Sequence, residues 1–144
     1  MLDCSNNIRN AYRNTLQGNV LYNNKVIEVY TQVPSITMPD KYIIIGTVNE
    51  SADNNNQVFS TNADIDIDIF CEQYREVDLS VVDAISSLVL NLLIPSTGVK
   101  DLNADAEFQI FPIARTSVRY LNIDNNDVYI SRKIITINNL VNQK

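Results

Sequence analysis

The chain has no histidine and no tryptophan, only three glycines and only two cysteines. Without histidine there is no Ser-His-Asp triad, no Cys-His dyad and none of the commonest zinc sites. The three glycines spell no GxGxxG, no GxxxxGK(S/T) and no GxSxG, so no phosphate cradle and no nucleophile elbow is written here. Cys4 and Cys71 form no CxxC pair and are too few for a secreted disulfide scaffold. Cys71 continues an alternating apolar row and reads as a small core residue. The segment MLDCSNNIRN is polar, without the charged-then-apolar order of a signal peptide. The longest apolar run, Leu88 to Ile94, is interrupted by Asn91 and falls far short of the about 20 residues that cross a bilayer. The expectation is a soluble protein of a reducing compartment, with no membrane partner and no cofactor.

What is present fits one domain over residues 1–144, since 144 residues with 45% apolar content suffice for a core. The net charge of −6 disfavours a generally basic nucleic-acid binder. That charge is unevenly spread. From Asp40 to Glu107 there are 13 acids against three bases, and from Phe108 to Lys144 two acids against five bases. An acidic middle and a basic end either form two opposed association surfaces or are simply solvated faces. Asparagine occurs 20 times, so the turns are amide-rich. Asn54-Asn55-Asn56 and Asn125-Asn126 read as turns, because asparagine tolerates positive φ and bonds its own backbone.

Ser5 is placed to cap a first helix over about Asn6 to Gln17, with Ile8, Ala11, Tyr12 and Leu16 at helical spacing and Gly18 as its stop. Val20 to Tyr22 and Val26 to Thr31 flank Asn23-Asn24-Lys25 as a hairpin. Pro34 and Pro39 bracket a loop. Lys41 to Val48 is a continuous apolar strand suited to a position covered on both faces. Residues Asn49 to Asn62 form a long polar loop suited to carrying contacts. Asp78 or Ser80 caps a second helix that runs to about Leu93, ahead of Pro95, with capping-box spacing between Ser80 and Asp83. Its polar stripe (Ser80, Asp83, Ser87, Asn91) is narrow, so this helix has apolar surface left over for the first helix or for a neighbouring subunit. Glu107 to Arg115 and Thr116 to Leu121 read as strand, broken at Pro112. Asn122 to Asp127 is a turn-rich loop, and Asp127 to Ile137 a last strand, bulged near Arg132-Lys133. The order α-β-β-β-β-α-β-β predicts an α+β domain: an antiparallel sheet of about five to six strands with two helices packed on one face.

The sharpest pattern is Ala63 to Glu72. Ile65, Ile67, Ile69 and Cys71 fall on one face of a strand; Asp64, Asp66, Asp68 and Phe70 fall on the other. Alternate residues on a strand sit roughly 6.5 to 7 Å apart and do not converge, so these three acids alone make a poor cation site. They serve either as a solvated face that blocks aggregation or, in a ring of copies, as a bore lining that repels phosphates. Arg115, Arg119, Arg132 and Lys133 form a sparse basic set that suits an acidic partner surface, a phosphate or plain solvent.

The order of these elements resembles the tail terminator and tail completion proteins of tailed bacteriophages, which form a ring at the head-tail neck. The resemblance is carried by the opening helix IRNAYRNTLQG, the strand pair VLYNNKVIEVYTQVP, the apolar strand KYIIIG ahead of a polar loop, the alternating strand DIDIDIFCEQYREVD, the helix LSVVDAISSLVLNLLIP and the closing strands FQIFPIARTSVRYL and DVYISRKIITINNLV. It implies a structural virion protein, assembled in the host cytoplasm, without catalytic or metal residues. It implies a ring that joins portal or connector to tail, commonly of six copies (twelve in a short-tailed phage), with a bore through which DNA passes unbound. On that reading Asp64, Asp66 and Asp68 face the bore or a partner. Asn54, Asn55, Asn56, Arg115, Arg119, Arg132 and Lys133 are the candidate contacts between copies. The alternative is a monomeric or dimeric adaptor or inhibitor that turns its acidic strand face to a basic partner.

Overall fold

A computed structural model describes residues 3–33, 37–52, 60–74, 78–103, 106–126 and 128–144. Its elements are α1 (Ser5–Leu16), β1 (Leu21–Tyr22), β2 (Lys25–Val26), β3 (Glu28–Tyr30), β4 (Lys41–Ala52), β5 (Ser60–Tyr74), α2 (Leu79–Leu93), β6 (Phe108–Asn125) and β7 (Val128–Gln143). The five-stranded sheet has the order β3-β4-β5-β7-β6, antiparallel except for the parallel edge pair β3–β4. This is the expected α+β arrangement.

The alternation of β5 builds the core. Ile65, Ile67, Ile69 and Cys71 are fully buried on the helix side, with Ile43 and Ile45 of β4 and Ile135, Ile137 and Val141 of β7. Onto this layer α1 presents Ile8, Tyr12 and Leu16, and α2 presents Val82, Ile85, Val89 and Leu93. Each buried isoleucine contributes roughly 1.5–3 kcal/mol relative to an exposed one. The surplus apolar surface of α2 is partly spent on α1, which it meets.

Several expected boundaries shift, each for a local reason. At the head of α1, the N-cap position is Cys4, which makes no side-chain cap bond, and Asp3 before it accepts from Ser5 N through Oδ1 at 2.9 Å. The Ser5 hydroxyl donates instead to Glu50 Oε1 at 3.0 Å. Asp78 caps α2 by accepting from Ser80 N at 2.9 Å. The expected capping box does not form, because Asp83 faces β6 and β7. The segment 26–31 divides at buried Ile27, whose N–H donates to Val20 O at 2.9 Å. β2 therefore closes a small hairpin with β1 through Asn23 and Asn24, both at positive φ (49° and 63°), while β3 joins the main sheet.

β4 is buried on its helix side only; Tyr42 and Ile44 on its other side are half-buried. It runs on to Ala52 and β5 starts at Ser60, so residues 49–52 and 60–62 of the expected polar loop are strand and the remainder lies outside the described residues. Asn54, Asn55 and Asn56 lie outside the described residues, as do Pro34 and Asp127. β6 is one strand. Pro112 sits on its edge position and is absorbed by register shifts at Pro112/Ala114 and Arg115/Ser117. It continues to Asn125, which pairs with Val128, so residues 122–125 of the expected Asn122–Asp127 loop are strand, followed by Asn126 at φ 48°. β7 has no bulge near Arg132: it pairs with β5 without a break from Asn142 to Val128. The mixed facing read there as a bulge is instead a strand with a charge on each face.

One polar group is placed deep in this core. Asn139 of β7 is fully buried, accepts from the Tyr12 hydroxyl at Oδ1, and donates through Nδ2 to Ala63 O and Ile137 O, both at 3.1 Å. Tyr12→Phe would leave that Oδ1 without a donor. We expect a loss of about 1–3 kcal/mol, read as a lower urea midpoint with an unchanged slope.

Candidate functional site

The β5–β7 pair displays two different surfaces, because its register sends neighbouring residues to opposite sides. On the helix-free side the three acids form the expected row, half-buried. Each has its own partner on β7. Asp64 Oδ1 accepts from Asn138 Nδ2 at 2.8 Å and Asp66 Oδ1 from the Thr136 hydroxyl at 2.7 Å. Asp68 pairs with Arg132, whose Nη2 lies 2.5 Å from Oδ2. The carboxylates are thus held apart, and among the described residues no group of three His, Cys, Asp or Glu side chains could hold a metal ion. One of the three charges is neutralised within the subunit; the other two are bonded to neutral groups and stay net negative.

Arg132 also lies over the Phe70 ring, 4.7 Å from its centroid, and Phe70 stacks on Tyr42 at 4.6 Å and 8°. Tyr30 meets Tyr42 edge-on at 6.3 Å. An aromatic row therefore crosses three strands beside the acids and ends on a guanidinium. The bond to Asp68 raises the pKa of Arg132 against the opposing pull of burial. This row was not legible in the sequence, since it needs the registers of β3, β4, β5 and β7 together.

On the helix side Lys133 is almost fully covered, with 8% of its side chain exposed. Its Nζ donates to Asp83 Oδ1 on α2 at 2.8 Å, and the Tyr120 hydroxyl of β6 donates to the same oxygen at 2.7 Å. Lys133 also stands 5.1 Å from the Tyr120 ring centroid. Burial pulls the ammonium pKa down, but the bonds to Asp83 and Tyr120 outweigh it and leave it raised. The Lys133 bond, then the Tyr120 bond, hold the Asp83 carboxyl below its usual range. Ser131, two residues earlier on the same face and opposite Cys71, is fully buried, and its hydroxyl has no partner among the described residues.

The expected basic set therefore divides. Arg132 and Lys133 are engaged inside the subunit, one on each face of β7. Arg115 and Arg119 stand exposed on edge strand β6, and neither has an ionic or hydrogen-bond partner among the described residues. Both cysteines are free and buried, as expected for Cys71. Burial first, then Glu50, pushes the Cys4 thiol up to about 12, so it is a poor nucleophile. A surface pocket of about 290 Å³ lies between the β1–β2 hairpin and residues 39–41, with Tyr22, Val26, Asp40 and Lys41 among its walls. It gathers no set of converging catalytic groups.

No protein-family model matches the chain, and no curated protein does. Solved structures do match. A chain of a structure described as "Virion of native gene transfer agent (GTA) particle" aligns with a TM-score of 0.60 at 13% identity, over 79% of this chain and 78% of that one. At that identity the likeness is one of fold.

The Asp83–Lys133 pair generates a pH prediction. A carboxyl held below its usual range adds stability above its unfolded pKa of about 3.9, and that contribution is lost as pH falls through the lower folded value. Asp83→Asn should flatten the stability-against-pH curve below pH about 4, measured by urea unfolding at a series of pH values. An unchanged curve would show that the pair does not couple to folding.

Proposed function

We propose that this chain is a structural virion protein that acts through shape and transforms no substrate. The observation that carries the proposal is the fold shared with a chain of a gene transfer agent virion over nearly four-fifths of both chains. The finer reading is a ring subunit at the head-tail neck or tail end, commonly six copies around a bore for DNA, between connector and tail proteins. The order of elements in the sequence supports it, as does the rigid sheet that leaves one face free of helices.

In such a ring the helix-free face suits the bore. Asp64 and Asp66 keep their charge while their geometry is fixed by Asn138 and Thr136, so the wall would repel phosphates without trapping cations. Contacts between copies fall to exposed, unengaged residues such as Arg115 and Arg119. Arg132 and Lys133 serve the subunit itself. The adaptor reading gains less, because Asp68 is already neutralised by Arg132 and the acidic face is correspondingly weaker.

Negative-stain microscopy and native mass spectrometry of the concentrated protein test the ring. The expected result is an annulus with a central opening and a mass of about six subunits. A chain that never closes into an annulus at any concentration would overturn the ring.

A further inference from the structure

Exposed sheet edges are covered or they pair. Here the covering is uneven. On β3 the Gln17 side chain acts as a clip: its Oε1 accepts from Val29 N at 3.2 Å and its Nε2 donates to Glu28 Oε2 at 3.1 Å. The start of β6 is sealed by the preceding loop. Asp101 Oδ1 accepts from Ile110 N at 3.0 Å, Leu102 N donates to Ile110 O at 2.9 Å, and Asn103 Nδ2 donates to Phe108 O at 3.1 Å. Beyond Ile110 the sealing stops. Among the described residues no hydrogen bond reaches the outward backbone of β6 from Ser117 to Asp124.

That bare stretch is also regular in register and exposes apolar side chains. After the second register shift, β6 follows β7 without a break from Ser117 to Asn125. Leu121 and Ile123 are 44% and 45% exposed on it. The segment carries no lysine, no proline and no register shift of its own; its charges are Arg119 and Asp124. Its charge is polarised along its length: Arg115 and Arg119 lie at one end and Asp124 at the other.

We propose that this edge pairs with the same edge of a second copy, antiparallel about a two-fold axis at Leu121. Full overlap of the unbroken stretch puts its midpoint, Leu121, on the axis. Antiparallel overlap then sets Asp124 of each strand opposite Val118 of the other, between the positions of Arg115 and Arg119, and sets Arg119 opposite Ile123. The two Leu121 side chains face each other, flanked by Ile123. Such an isologous contact is self-limiting, so it gives a dimer with a continuous ten-stranded sheet. The inference does not depend on the ring; it describes how the free subunit closes an edge that would otherwise aggregate.

Cysteine cross-linking reads the axis directly, since Cys4 and Cys71 are buried. Residues directly opposite in antiparallel strands are within disulfide reach. Leu121→Cys should form a cross-linked dimer rapidly under mild oxidation, whereas Ser117→Cys on the same strand and exposed Asn91→Cys on α2 should not. By sedimentation the wild type should be a dimer at micromolar concentration, and Leu121→Lys a monomer with unchanged circular dichroism. Three results would overturn the proposal: a monomeric wild type, cross-linking of L121C no faster than of N91C, or a dimer that survives Leu121→Lys. An annulus whose L121C form does not cross-link would sink this contact and leave the ring standing. A cross-linked dimer that never closes into an annulus would do the reverse.

Discussion

The pairing of β5 with β7 constrains the rest of the molecule. A slip of one residue would turn Asp64, Asp66 and Asp68 under the helices and bring Ile65, Ile67 and Ile69 into water. Each buried unpaired carboxylate would cost several kcal/mol, so that slip is closed to the chain. The same register puts Phe70 opposite Arg132 and Ile69 opposite Lys133. One cation is thereby aimed at the acidic row and the other at α2. Helix placement, aromatic stacking and the charge of the free face all follow from which residue of β5 meets which residue of β7.

Much of this was legible in the sequence, and the rest was hidden for identifiable reasons. Period two in β5 and period 3.6 in both helices name the core almost residue by residue, because burial acts locally on spacing. The α+β order follows from the same patterns. Partners across strands were not legible: Asn138, Thr136 and Arg132 are more than 60 residues from the acids they bind, and no local pattern marks such a pairing. The mixed facing around Arg132 and Lys133 was visible, but it has two physical origins. A bulge would produce it, and so does a buried lysine held by a helix carboxylate. Only the second occurs here. Pro112 likewise divides β6 in the sequence yet sits within one strand, because an edge position requires no inward N–H from it.

The candidate site shows where local reading stops for function as well. Three aligned acids suggested an open charged face. The fold gives each of them a private partner and neutralises one of them. The four cations near the end of the chain looked equivalent in sequence. Two are engaged by the subunit's own electrostatics, and two stand on an edge without an ionic partner among the described residues.

The bond between Tyr12 and Asn139 has a bearing on how the protein comes into being. It joins the first helix to the last strand across 127 positions, and β7 itself lies between β5 and β6 in the sheet. The helix α1 therefore cannot settle until β7, more than a hundred residues later, has left the ribosome. Long-range closures of this kind slow folding, because loop entropy must be overcome before the contact forms. Synthesis must reach β7 before this molecule acquires its core, and termination ahead of that strand would leave the apolar face of α1 uncovered.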